Sequence, residues 1–150
     1  MKTSLGYFLW EYVSVADNKV RMAIYWWYRP PATPADVAAL ETAARLLANP
    51  DEWHQQDDRD CNDDGETGRW SLFCVLKHAS IETMGEYNHH NTAMQTVRFV
   101  IDELIPDHGF AHTLMDFNNA ATTSHADIQH AIELARERIE AELLASSSKP

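Results

Sequence analysis

DEWHQQDDRDCNDDGETGRWSLFCVL, residues 51–76, changes character once, just after Gly68, and that change sets the expected fold. Residues 51–66 hold eight acids (Asp51, Glu52, Asp57, Asp58, Asp60, Asp63, Asp64 and Glu66) against one base, Arg59. With Asn62 and Gly65 among them they read as an acidic loop, because Asp, Asn and Gly favour turns. Trp70, Leu72, Phe73, Cys74, Val75, Leu76, Ala79 and Ile81 then follow, apolar on nearly every side. Such a pattern predicts a central, buried helix over about 69–84, with Gly85 able to end it.

Working outward, Thr33 is a cap and Pro34 a first helical residue. Val37, Leu40, Ala44 and Leu47 recur at helical spacing until Asn49-Pro50 stops the run, which gives a helix over 33–48. On the other side Asn91 caps a helix with Met94, Val97, Ile101 and Leu104 on one face, closed by Pro106. Phe110, Leu114 and Phe117 suggest a short fourth helix. Ser124, with Asp127 three residues on, starts a fifth whose stripe is Ile128, Ile132, Ala135, Ile139 and Leu143. Ser146 to Pro150 reads as a disordered tail.

The N-terminus reads differently. Residues 7–15 (YFLWEYVSV) and 20–28 (VRMAIYWWY) are rich in aromatic and β-branched types around a turn at Ala16-Asp17-Asn18-Lys19, the pattern of a β-hairpin. A helical hairpin is the alternative. Eight of the fifteen aromatics lie in these first 28 residues. A lone hairpin is marginal in water and must pack on something. The expected fold is therefore α+β: one domain over 1–145, with an N-terminal β-hairpin (1–30) packed on four to five helices. The helix at 33–48, the acidic loop at 51–68 and the helical part at 69–145 complete it.

Composition narrows the function. At 150 residues with 45% hydrophobic content, the chain can build a core. A net charge of −11 argues against a nucleic-acid backbone as ligand. No apolar run spans a bilayer, and Trp10, Glu11 and Tyr12 interrupt the start in a way a signal peptide would not. Two cysteines make no disulfide framework, so a cytoplasmic location is expected.

Asp60-Cys61-Asn62-Asp63-Asp64-Gly65 matches the first half of a calcium loop, with oxygen ligands at Asp60, Asn62 and Asp64 and the turn glycine at Gly65. Ser71 replaces the closing glutamate, so Asp57 or Glu66 would have to complete the shell; against calcium, Asp-Gly is also an ordinary turn. His108, His112 and Asp116 stand at i, i+4 and i+8, which on a helix gives one zinc-facing side. The competing reading is a solvated polar face. Cys74 lies among Phe73 and Val75 with His78 one turn on, and a buried core cysteine fits better than a nucleophile. Cys61 stands among carboxylates that raise a thiol pKa. No catalytic set is complete. Asn118-Asn119 suits a helix end.

Three blocks resemble a family of small helical proteins of unknown function from actinobacteria and their phages. The likeness covers about 38–141: LETAARLLANPDEW; RDCNDDG followed by RWSLFCVLKHA; and LMDFNNAATTSHADIQHAIELA. Phe117-Asn118-Asn119 replaces that family's tryptophan-asparagine-aspartate, Thr123-Ser124 its arginine-threonine, and the cysteine comes later, at Cys74. The resemblance implies a mainly helical fold with a hairpin-like turn near Asp60 to Gly65, and no activity.

The functional expectation is a non-enzymatic binding or regulatory protein acting by protein–protein contact or self-association, with Tyr7, Trp10, Tyr12, Tyr25 and Trp27 as interface, since such rings favour interfaces. The alternative is a metal-dependent protein or hydrolase holding calcium at the acidic loop or zinc at the histidines. No other cofactor is expected.

Overall fold

The computed structural model describes residues 29–57, 60–62 and 64–149. The hairpin assigned to 7–28 and the interface residues on it lie outside the described residues. Among the described residues there is no strand: the only extended pairing is one parallel bridge between Trp53 and Trp70. The α+β expectation is thus corrected to a helical architecture. The two extended stretches that flank the acidic loop meet over one residue each, too few to propagate a ladder.

Five helices carry the described structure: α1 Pro34–Leu46, α2 Leu72–Met84, α3 Thr92–Leu104, α4 Thr113–Asn119 and α5 His125–Ser147. A 3-10 turn, Pro50–Glu52, and one α-turn, Asp64–Thr67, lie between α1 and α2. α1 packs on α2 and α5, and α3 on α5 and α4. Leu40, Leu47, Leu72, Leu76, Met94, Ile101, Ile128, Ile132 and Ile139 are fully enclosed between them.

Each boundary has a local cause. At α1, Asp36 accepts from the Thr33 amide (2.8 Å) and hydroxyl (2.9 Å). Its other oxygen accepts from the Ala93 amide (3.1 Å), so one buried carboxylate serves the starts of both α1 and α3. Asn91 Oδ1 caps α3 through the Met94 amide (2.8 Å). Ser71 caps α2, its Oγ accepting from the Cys74 amide (3.2 Å). Trp70 belongs to the bridge, so the first helical residue is Leu72 rather than Arg69. Gly85 ends α2 in the left-handed conformation (φ 79°). Ser124 and Asp127 form a reciprocal cap on α5, which runs through Ser146 and Ser147, past the expected end at 145.

The most buried helix is α3, not α2. Eleven of its thirteen residues are buried, Gln95, Arg98 and Asp102 among them, against seven of thirteen in α2. His78, Ile81 and Glu82 turn the last part of α2 to solvent.

Candidate functional site

The acidic loop is where most unusual features meet, and it is fastened at both flanks. The His54 amide donates to the Trp70 carbonyl (2.9 Å), and the Trp70 amide to the Glu52 carbonyl (2.6 Å). Beneath this bridge lies Asn118, fully buried in the last turn of α4. Its Oδ1 accepts from Trp53 Nε1 (2.8 Å) and the Leu72 amide (3.0 Å). Its Nδ2 donates to the His54 carbonyl (2.9 Å) and Asn119 Oδ1 (3.1 Å). One side chain thus joins the incoming flank, the first residue of α2 and the end of α4.

Asn119 reads the next stretch of backbone. Its Oδ1 accepts from the Asp57 amide (2.7 Å) and its Nδ2 donates to the Asp57 carbonyl (2.8 Å), as a neighbouring strand would. Gln55 Nε2 adds bonds to the carbonyls of Ala120 and Thr123, both 3.0 Å. Arg69 Nη2 reaches back to the Trp53 carbonyl (3.2 Å).

Between the flanks the loop is tied covalently: Cys61 and Cys74 form a disulfide, with Cα atoms 5.4 Å apart. This corrects the reading of Cys74 as a core thiol and Cys61 as a separate, sluggish one. Cys74 is the third residue of α2, on the side the loop folds over. Of the described acids Asp51, Asp60 and Glu66 are exposed, whereas Asp57 is buried.

The metal candidates fall as follows. Asp60, Asn62 and Glu66 are exposed, and Asp64 and Gly65 sit in the Asp64–Thr67 helical turn. Asp63 lies outside the described residues. His108 and His112 precede α4, so the helix that would align them with Asp116 is absent. Asp116 Oδ2 accepts from the Ala111 (2.8 Å) and His112 (2.9 Å) amides, a cap for α4. The His108 side chain is buried, its Nε2 2.6 Å from Asp102 and its Nδ1 accepting from the Phe110 amide (3.1 Å). Both ring nitrogens are engaged, so this Asp–His pair offers none to a substrate as a general base must. No group of three or more metal-ligating side chains comes together among the described residues.

A second polar cluster surrounds α3. Arg98 donates to Gln95 Oε1 (2.9 Å), which turns the Gln95 amide nitrogen toward His90 Nδ1 (3.0 Å). His90 Nδ1 must then accept, so the ring is held neutral. Burial, with the Arg98 charge adding to it, lowers its pKa to about 4. A concavity of about 230 Å³ opens among Leu104, Ile105, Phe117, Thr122, Thr123, Asp127 and His130. Its one carboxylate, Asp127, is taken up by Ser124.

The three sequence blocks converge on this clamp. The first ends at Trp53, the second carries Cys61, Trp70 and Leu72, and the third carries Asn118 and Asn119. A family model matches residues 29–138, most of the chain. The chain belongs to DUF6197, a family of unknown function. The DUF6197 match leaves the first 28 residues outside, as the resemblance did. No curated protein and no solved structure matches the chain.

Sequence reasoning placed Asn118-Asn119 at a helix end but missed their partners across the loop. The nearest signal was the presence of both asparagines and both cysteines in the family-like blocks.

Proposed function

We propose that this DUF6197 protein is a non-enzymatic binding module whose acidic loop is a preformed docking surface for a basic protein segment. The observation that carries the reading is a contrast within one loop. Its backbone is fastened by the Asn118–Asn119 clamp, the bridge and the disulfide, while Asp51, Asp60 and Glu66 face solvent. A surface already ordered loses little freedom on binding, and exposed acids attract and orient a basic partner. The actinobacterial or phage setting implied by the resemblance belongs to this proposal, whereas the cytoplasmic expectation loses its ground once the two cysteines are paired. Self-association through Tyr7, Trp10, Tyr12, Tyr25 and Trp27 would be a separate contact.

The test is fluorescence anisotropy with a labelled arginine- and lysine-rich peptide. Saturable binding that weakens as salt rises, and is lost in Asp60→Lys/Glu66→Lys, supports the reading. Binding unchanged by that double charge reversal overturns it.

A further inference from the structure

We propose that the Cys61–Cys74 bridge is a thiol–disulfide exchange site, opened at Cys61 by a small thiol or dithiol, and that opening it frees the acidic segment while the helices stay folded.

The two sulfurs are unequally placed. Cys74 is 2% exposed, whereas Cys61 is half-buried on the loop and is the one an incoming thiolate can reach. Exchange at Cys61 makes Cys74 the leaving group. Cys74 sits at the third position of a thirteen-residue helix, where the positive end of the helix dipole favours a departing thiolate. Asp57 Oδ1 lies 4.0 Å from Cys74 Sγ. Its charge opposes a lasting thiolate, and it can accept the S–H bond once the sulfur is protonated.

The step balances. A thiolate forms a bond to Cys61 Sγ; the Sγ–Sγ bond breaks and its electron pair leaves on Cys74, which takes a proton from water. The second thiol of a dithiol then displaces Cys61 from the mixed disulfide. The reductant leaves as a disulfide and the protein gains two thiols.

The opening is local because the flanks have their own fastenings. Trp53 to Asp57 are held by Asn118 and Asn119, and Trp70 by its bridge to the 52–54 backbone. Reduction therefore acts on Asp60–Asn62 and Asp64–Arg69. Disulfides persist in oxidising surroundings and are reduced in the cytosol, so the surroundings would set the form. The consequence for docking, weaker binding in the reduced form, rests on the function proposed above.

The experiment exposes the oxidised, full-length protein briefly to limiting glutathione, quenches with N-ethylmaleimide and maps both adducts by mass spectrometry. Expected are glutathione on Cys61 and maleimide on Cys74. Full reduction with dithiothreitol should then raise amide exchange across 64–69 by roughly tenfold or more, with α1, α3 and α5 unchanged. Glutathione on Cys74, reduction only in denaturant, or exchange rising through every helix would each overturn the proposal. The basic peptide separates the two readings. If it binds neither form while the adducts map as expected, the exchange site stands and the docking function fails. Equal binding to both forms refutes redox control of docking.

Discussion

Asn118 shows how one amide can hold together segments far apart in sequence. Its oxygen serves Trp53 Nε1 and the Leu72 amide, and its nitrogen the His54 carbonyl, from a fully buried position. Asn118→Ala removes the partner of these buried and half-buried groups, at about 1–3 kcal/mol for each left unsatisfied away from water. A loss of about 2–4 kcal/mol in urea unfolding is expected; less than about 1 kcal/mol would contradict the clamp. His90 makes a pH prediction with a definite sign. Its folded pKa, about 4, lies below the ordinary 6.5. As pH falls, the unfolded chain takes up the proton first, so this contribution is complete above pH 6.5 and is lost progressively toward pH 4. It is on the order of 2–3 kcal/mol. Unfolding measured between these pH values should slope less steeply in His90→Phe than in the unaltered protein.

At the scale of elements, caps decide where helices begin, and one cap serves two. Asp36→Ala removes bonds to the Thr33 amide and hydroxyl and to the Ala93 amide. It should cost about 2–3 kcal/mol, against about 1 kcal/mol for Ser124→Ala, which loses a single exposed cap. Thermal melts of the two variants check the order. These caps were legible in the sequence because their partners lie within three residues. Thr33, Asn91 and Ser124 each start the helix that their position predicts, and Gly85 ends α2. What was not legible depends on distant partners. Gln95, Arg98 and Asp102 are polar residues outside the expected apolar stripe of α3, yet each is buried by tertiary packing. His108, His112 and Asp116 had helical spacing, but the chain before α4 is held in a loop by the His108–Asp102 and Asp116 bonds. The Cys61–Cys74 pair could not be read from spacing, since it requires the loop to fold back over α2.

For the molecule as a whole, the described structure is a helical body with an acidic loop fastened to it, and the disulfide should contribute stability without being indispensable. Closing a loop of this length is worth about 3 kcal/mol. Dithiothreitol should therefore lower the urea midpoint by that equivalent while leaving a single cooperative transition. Amide hydrogen exchange of the oxidised protein tests whether the clamp orders the loop's flanks. The amides of His54, Asp57, Trp70 and Leu72 should exchange as slowly as those inside α1 and α5. Exchange of these four at the rate of an open loop, with the helices still protected, would contradict it.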